Sequence, residues 1–387
     1  MNHQTQVELT RAVFQHLAAG STDLGAAIYR NPVAHYTCAD RLAREKVALF
    51  QRFPLLMALS CQLPAPGDYL TSESTGVPIL LTRDQDHRVR AFLNVCRHRG
   101  ARVARGAGQA ENRFRCPYHG WTYDCAGRLV GVPDKRSFPG LEREHSGLVS
   151  LPVIEQDGLV WVRATTHDTS NGQEKININE VLDGLADELR SFNIGSFHHY
   201  ASRRLDRKMN WKLVIDTFLE PYHFNVLHVD SISPIFHSNL CLFHPFGRNL
   251  RVTYPRKSID TLRELPESEW DLVYHSALIY VLFPNTVFVV QADHLEVWRV
   301  FPAEDRVDEA IVFLDFFVPE SVRSDKAREH WERNLELVVR TVSDEDFPTG
   351  EEIQFGFSSG AQAHMTYGRN EPALAYFEKT VADAVGD

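Results

Sequence analysis

The chain has 387 residues, enough for two domains, and its 43% hydrophobic and 24% charged residues are typical of a globular protein. A formal net charge of −10 argues against nucleic acid or an anionic membrane as the main partner. Four of the six cysteines have no framework spacing, which fits a reducing compartment; they are Cys38, Cys61, Cys125 and Cys241. There is no signal-peptide pattern, and the apolar runs are broken by Arg, Pro or Asn, so we expect a cytoplasmic protein that does not span a membrane.

The first 49 residues (1–49) are predicted to form short helices that pack on the C-terminal domain. These helices are expected at 8–19, 22–30 and 43–50. An Asn-Pro pair follows the second helix and marks a break in the chain.

Short β-rich runs between turn residues predict a small all-β domain at 50–165. Residues 77–81 and 89–95 flank an Asp-Gln-Asp turn and predict one hairpin. Residues 121–123 and 127–130 flank a turn that contains Asp and Gly, and they predict a second hairpin.

A cysteine–histidine motif lies inside this β domain. Cys96 and His98 form Cys-x-His, and Cys116 and His119 form Cys-x-x-His after seventeen intervening residues. Two thiolates with two imidazoles are the ligand set of a Rieske [2Fe–2S] centre, with the cysteines on one iron and the histidines on the other. Neutral imidazoles raise the reduction potential of the cluster above that of a four-cysteine cluster, which suits a carrier of electrons to a catalytic site.

Zinc is the alternative ion for this ligand set. Zinc fingers usually pair cysteine with cysteine and histidine with histidine, whereas each pair here mixes the two kinds. Mixed pairs are what two hairpin loops closing on one cluster require. The motif therefore predicts a Rieske centre, with a zinc-stabilised binding protein as the alternative.

The remaining residues, 166–387, are predicted to form an α+β domain with a mainly antiparallel sheet. A polar stretch at 165–178 predicts a linker before it. Helical patterns occur at 179–192, 211–227, 325–342, 349–357 and 371–385. Strand patterns occur at 251–254, 277–282, 286–291, 296–301 and 310–318.

A second metal signal lies at the end of the helix predicted at 211–227. His223 and His228 are five residues apart, which on a regular helix places them about 140° apart and is poor for one shared ion. A π-bulge or a broken last turn would bring them together, and Pro221 favours such an irregularity. Glu220 can accept a hydrogen bond from the non-ligating nitrogen of His223.

Two histidines need a carboxylate to complete the facial triad of a non-haem Fe(II) oxygenase. The acidic run 344–346, at the end of the long C-terminal helix, offers one. Local spacing does not choose between Asp344 and Asp346.

With both motifs the chain resembles the catalytic α subunits of Rieske non-haem iron oxygenases, the ring-hydroxylating oxygenase superfamily, over nearly its whole length. The matching residues are Cys96, His98, Cys116 and His119 for the cluster, and Glu220, His223 and His228 in the family's acid-x-x-His-x₄-His pattern. The C-terminal acidic segment is also similar, which implies Asp346 as the third iron ligand, with Asp344 as the alternative. Many ring dioxygenases carry Asp at the position of Glu220, whereas Glu occurs in branches that include enzymes similar to carnitine monooxygenase.

The resemblance implies an α+β architecture, in which a small all-β Rieske domain precedes a helix-grip, START-like catalytic domain. It implies a [2Fe–2S] cluster, mononuclear Fe(II), O₂ as co-substrate, and electrons from NAD(P)H through a partner reductase or ferredoxin. It also implies a head-to-tail homotrimer, with an added β subunit as the alternative. In that trimer Glu220 bridges His223 of its own chain and His119 of a neighbour.

The implied reaction is hydroxylation, oxidative demethylation or cleavage of a small quaternary amine or aromatic acid. The alternative reaction is cis-dihydroxylation of an aromatic ring, and the non-oxygenase alternatives are a Rieske electron carrier and the zinc protein. Aromatic faces suit a quaternary ammonium group, and an arginine suits an aromatic acid. The candidate contacts are Tyr222, Tyr280, Phe283 and Trp298 for the amine, and Arg251 and Arg299 for the acid.

Overall fold

The computed structural model describes residues 1–165 and 175–386, and the chain divides into two compact units. The composite unit joins Met1–Glu45 with Leu182–Asp387, and the central unit is Lys46–Val181. Most of the linker predicted at 165–178 lies outside the described residues, which omit 166–174. None of the described helices is long and apolar enough to cross a membrane.

The composite unit begins with helix α1 (His3–Ala19). Asn2 caps this helix by accepting a hydrogen bond from the Thr5 amide, and Gly20 ends it in the left-handed conformation, with φ of +59°. The helix predicted at 8–19 is therefore confirmed and begins five residues earlier.

The helix predicted at 22–30 is wrong. The amide of Gly25 donates to the carbonyl of Arg369 at 2.6 Å, and strand β1 (Tyr29–Pro32) follows and pairs with a C-terminal strand. Long-range hydrogen bonds therefore outweigh a weak local preference for helix. Helices α2 (Ala34–Thr37) and α3 (Ala39–Glu45) come next.

Short antiparallel strands build the central unit. They are β2 (Pro54–Leu59), β3 (Asp68–Ser72), β4 (Ile79–Arg83), β5 (Val89–Leu93), β6 (Ala107–Gln109), β7 (Arg113–Arg115), β8 (Thr122–Asp124), β9 (Leu129–Gly131), β10 (Ser150–Leu151), β11 (Val153–Gln156) and β12 (Leu159–Arg163). They form a five-stranded sheet of order β10-β5-β4-β3-β6 and two three-stranded sheets, β11-β12-β2 and β7-β8-β9. Both predicted hairpins are confirmed, as β4–β5 and β8–β9.

An antiparallel seven-stranded sheet is the centre of the composite unit, with order β13-β19-β18-β17-β16-β15-β14. Its strands are β13 (His198–Arg207), β14 (Leu242–Phe246), β15 (Asn249–Pro255), β16 (Ser276–Leu282), β17 (Thr286–Val290), β18 (Leu295–Ala303) and β19 (Arg306–Val318), and β20 (His364–Tyr367) is the partner of β1. Helix α4 (Ile178–Leu182) lies at the end of the central unit, and the helices of the composite unit that follow it are α5 (Ala186–Ser191), α6 (Trp211–Asp216), α7 (Phe224–Leu227), α8 (Asp325–Arg340), α9 (Phe347–Phe357) and α10 (Pro372–Val385). The predicted α+β class is confirmed.

The helix predicted at 211–227 is wrong as one continuous helix, because it is divided into α6 and α7. Pro221 lies in the break and has no amide hydrogen to donate to a helix. The Glu220 carboxylate accepts hydrogen bonds from the amides of Tyr222, at 2.5 Å, and His223, at 3.2 Å. This carboxylate therefore satisfies amides that a helix start leaves without intrahelical partners.

Candidate metal centres

The predicted cluster ligands lie on two loops of the central unit, one after β5 and one between β7 and β8. The thiols of Cys96 and Cys116 are buried and adjacent, and the Nδ1 atoms of His98 and His119 lie 3.1 Å apart. Burial raises the pKa of the Cys116 thiol, and the neighbouring Cys96 raises it further. Two such thiols ionise together most readily when a metal lies between them. The donor set therefore fits a [2Fe–2S] cluster.

Local backbone geometry shapes both loops. The amide of Gly100 donates to the carbonyl of Cys96 at 2.9 Å, and the amide of Gly120 donates to the carbonyl of Cys116 at 3.0 Å. Both glycines adopt positive φ, +85° and +72°, which other residues adopt only with strain. The indole of Trp121 stacks on one ligand ring, and the two planes differ by 9°.

Tyr123 is a residue of this site that the sequence reasoning missed. Its hydroxyl lies 3.3 Å from the sulfur of Cys96 and accepts a hydrogen bond from the Arg97 amide at 2.9 Å. Hydrogen bonds to ligand sulfurs are one of the features that set the potential of an iron–sulfur cluster. The signal available in the sequence is a tyrosine two residues beyond Trp121.

The second site brings together His223, His228 and Asp346. The Nε2 atoms of the histidines lie 3.1 Å apart, and Asp346 Oδ1 lies 3.5 Å from the first and 3.1 Å from the second. These three donor atoms converge as one ion requires. Asp344, the alternative third ligand, is exposed and is not part of this cluster.

Irregular backbone at both segments makes this convergence possible. His223 is the residue just before the short helix α7, and His228 is the residue just after it. The two histidines therefore do not lie on one regular helix, as the prediction of a helix at 211–227 would have placed them. Asp346 ends a π-helical turn, Thr341–Asp346, which extends α8 and turns the carboxylate to the histidines.

A carboxylate orients each histidine from its far side. Glu220 bonds to Nδ1 of His223, as predicted, and Glu345 bonds to Nδ1 of His228 at 2.5 Å. Ser231 donates a hydrogen bond to Glu345 at 2.6 Å. Burial lowers the pKa of His228, but Asp346 and Glu345 outweigh burial and raise it. The role of Glu345 was missed because its sequence position alone shows only an acidic run.

The three donor groups line a cavity of about 500 Å³ in the composite unit. Its aromatic lining consists of Phe218, Phe224, Phe236, Tyr254 and Tyr274. Its polar lining includes Arg256, Gln291, Asp293, His294, Glu296 and Asn334. A cavity of this size, mostly apolar with a few polar groups, suits a small organic ligand.

The substrate contacts proposed from the sequence lie elsewhere. Tyr222 is 61% exposed, and Tyr280 donates to Glu188 at 2.6 Å. Arg251 is paired with the same carboxylate, at 2.6 Å. Phe283 and Trp298 are buried, Arg299 is paired with Asp315 at 2.7 Å, and no residue of the predicted set lines the cavity that the described residues form.

Comparison with known proteins places the chain in a family. Residues 194–387 match the catalytic domain of ring hydroxylating alpha subunits, and residues 54–152 match the Rieske [2Fe-2S] domain. The chain is 27% identical over 371 residues to a carnitine monooxygenase oxygenase subunit of Acinetobacter baumannii, covering 91% of this chain and 93% of that protein. It is 37% identical over 282 residues to the biphenyl 2,3-dioxygenase subunit alpha of Rhodococcus jostii, covering 71% and 57%.

Solved structures share the fold. The quaternary ammonium Rieske monooxygenase CntA in complex with L-carnitine matches with a TM-score of 0.76 at 23% identity, covering 94% of this chain and 96% of that one. A naphthalene 1,2-dioxygenase with bound indole matches with a TM-score of 0.71 at 18% identity, covering 92% of each chain.

The chain belongs to the ring-hydroxylating oxygenase α subunits, as predicted. It is a Rieske-type oxygenase that carries a [2Fe–2S] cluster and mononuclear iron, uses O₂ as co-substrate, and takes electrons from a partner protein. The electron-carrier and zinc-protein alternatives are excluded, because neither explains the match over 194–387.

Proposed function

We propose that this oxygenase hydroxylates or oxidatively demethylates or cleaves a small quaternary amine, with iron held by His223, His228 and Asp346. The observation that carries the proposal is the convergence of these three donors on the wall of an aromatic-lined cavity. Aromatic faces attract a quaternary ammonium group by about 0.5–2 kcal/mol each. The near full-length similarity to carnitine monooxygenase oxygenase subunits supports the same substrate class.

Each ligand residue has a defined task in this proposal. His223, His228 and Asp346 would hold Fe(II), which would supply the activation of O₂. Glu220 and Glu345 hold the Nδ1–H groups of His223 and His228, so both rings present Nε2 to the ion. The aromatic lining excludes water around the substrate.

A substrate screen tests the proposal. O₂ and NADH consumption are followed with a surrogate reductase over quaternary amines and aromatic acids, and products are identified. Coupled formation of a dealkylated or cleaved amine is expected. Product from aromatic rings alone would refute the amine assignment and establish the second candidate, cis-dihydroxylation, which the 37% identity to a biphenyl dioxygenase subunit favours.

We propose Cys96, His98, Cys116 and His119 as the cluster ligands. Cys116→Ser is expected to abolish the brown chromophore and the cluster iron, because a neutral hydroxyl replaces a thiolate. Visible absorbance and iron content after anaerobic reconstitution measure this. Cys125→Ser is the matched control, since Cys125 is buried in the same hydrophobic cluster but outside the donor set, and this variant should stay coloured. A colourless control or a coloured Cys116→Ser protein would contradict the assignment.

We further propose a head-to-tail trimer of α chains, in which Glu220 also accepts a hydrogen bond from His119 of the next chain. His119 is exposed in the isolated chain, where no carboxylate of the described residues bonds to it. Three apolar side chains around the His223 segment are exposed, namely Tyr222, Val226 and Val229, at 61%, 84% and 56%. Exposed apolar groups at this density mark a protein interface, and head-to-tail contacts close into rings.

Val226→Asp is expected to convert the trimer to single chains, because the carboxylate would lose its hydration on assembly. Sedimentation or light scattering gives the mass. Leu265→Asp is the matched control, since Leu265 is an exposed leucine, 42% accessible, in the segment between β15 and β16. A wild-type mass of one chain, or a smaller second chain co-purifying in fixed ratio, would refute the α-only trimer.

A further inference from the structure

The cavity contains an arginine without a carboxylate partner. Arg256 follows β15, lines the cavity, and donates from Nη2 to Gln291 Oε1 at 2.6 Å. Its Nε is buried and has no acceptor, and no ion pair within 4.0 Å is found for it in the described part of the chain. Burial lowers the pKa of Arg256, which expresses the cost of a charged guanidinium away from water. A guanidinium in this condition gains strongly from an anionic ligand.

The neighbouring acids already have other partners. Asp293 accepts hydrogen bonds from His294 at 2.8 Å and from His330 at 2.9 Å, and these bonds, that of His294 most, lower the pKa of Asp293 to about 2. Glu296 accepts from the Trp298 indole at 2.9 Å. Both carboxylates are thus held by neighbouring rings and leave the face of Arg256 toward the cavity available.

Two other arginines of the same sheet have carboxylate partners. Arg251 is bonded to both oxygens of Glu188 at 2.6 and 2.8 Å, and Arg299 to Asp315 at 2.7 Å. A fixed carboxylate therefore accompanies the guanidinium of both residues. Arg256, which lines the cavity, is the exception among these three.

A wall of aromatic rings joins Arg256 to the candidate iron ligands. Its guanidinium lies 5.4 Å from the ring centre of Phe236, which lies 6.0 Å from that of Phe224. The ring of Phe224 is in turn 5.7 Å from that of His228. A small molecule with an anionic end at Arg256 can therefore lie along this wall with its other end beside the histidines.

We propose that Arg256 is the specificity-determining residue that binds a carboxylate of the substrate. The inference rests on the proposed function and narrows it: the substrate is a carboxylated quaternary amine, not an amino alcohol or a neutral hydrocarbon. Gln291 holds the guanidinium plane, so the carboxylate meets a fixed two-pronged donor. An aromatic acid shares this chemistry, and the experiment distinguishes the two.

The test uses ligands that differ in one group. Binding of γ-butyrobetaine, of butyltrimethylammonium, which lacks the carboxylate, and of benzoate, which lacks the ammonium, is measured by calorimetry on the anaerobic holoenzyme. γ-Butyrobetaine should bind at least about 10-fold more tightly than butyltrimethylammonium. Arg256→Met should weaken the binding of γ-butyrobetaine about 30-fold or more. The affinity of the same variant for butyltrimethylammonium should stay within about twofold of wild type. Arg256→Lys should restore part of the loss, since it keeps the charge without the planar fork.

Arg263→Met is the matched control, because Arg263 is an exposed arginine paired with Asp260 at 3.0 Å. The Arg263→Met protein should bind all three ligands as wild type does. Cluster absorbance verifies that each variant is folded, and Arg256→Gln replaces Arg256→Met if the latter is not. Equal binding of the two amines by wild type, or equal weakening of both in Arg256→Met, overturns the role of Arg256. Arg256-dependent binding of benzoate alone supports the anion site and refutes the quaternary-amine function.

Discussion

Glu220→Gln is expected to lower turnover by about 100-fold while the protein keeps its cluster and, at saturating iron, its mononuclear metal. The carboxylate bonds to Nδ1 of His223 and, in the proposed trimer, to His119 of the next chain, so it joins the two redox centres. The neutral side-chain amide of glutamine cannot accept hydrogen bonds from both imidazole N–H groups and from the backbone N–H of Tyr222 at the same time. The measurements are steady-state rate, iron content, and the rate at which a pre-reduced cluster is reoxidised by O₂ with substrate.

Glu345→Gln separates electron relay from ligand orientation. Glu345 holds His228 as Glu220 holds His223, but no interchain role is proposed for it. Its substitution should cost about 10-fold in activity or iron affinity and leave cluster reoxidation fast at saturating iron. If both variants slow cluster reoxidation equally, Glu220 acts only by orienting its histidine, and the relay is refuted.

Asp346→Ala is expected to remove the mononuclear iron and with it all oxygenase activity, because two histidines alone leave the ion without its anionic ligand. Iron content should fall from about three to about two per chain, with the cluster spectrum unchanged. Asp344→Ala is the matched control: this carboxylate is exposed two residues away, and its removal should leave iron and turnover near wild type. Iron loss in Asp344→Ala, or retention in Asp346→Ala, would exchange the two assignments.

Local patterns were sufficient where ligands or strands are close in the chain. The pairs Cys96–His98 and Cys116–His119 lie on tight loops, so residue spacing alone indicates a shared centre. Strands β15 to β19 were predicted because long β-branched and aromatic runs favour sheet wherever they are buried. Edge strand β13 was missed, because most of its residues are partly or fully exposed and its sequence is largely polar.

Long-range contacts account for the failures. The segment 22–30 was predicted to be helical, but its amides bond to carbonyls more than two hundred residues away. The cavity contacts were wrong for a similar reason: Tyr280 and Arg251 look suitable as residue types, yet both bond to Glu188. Side-chain partners across a fold are not encoded in neighbouring positions.

The sequence by itself determined the family, the α+β class, the two metal centres and most of their candidate ligands, because the motifs concentrate the required donor atoms in short segments. Only the tertiary structure decided that Asp346 and not Asp344 meets the histidines, that Glu345 orients His228, and that Arg256 faces the cavity. A π-helical turn sets the directions of Asp346 and Glu345, and a broken helix places the two histidines. A shift of one residue along a helix turns a side chain to a different face, and no local sequence pattern specifies the position to that precision.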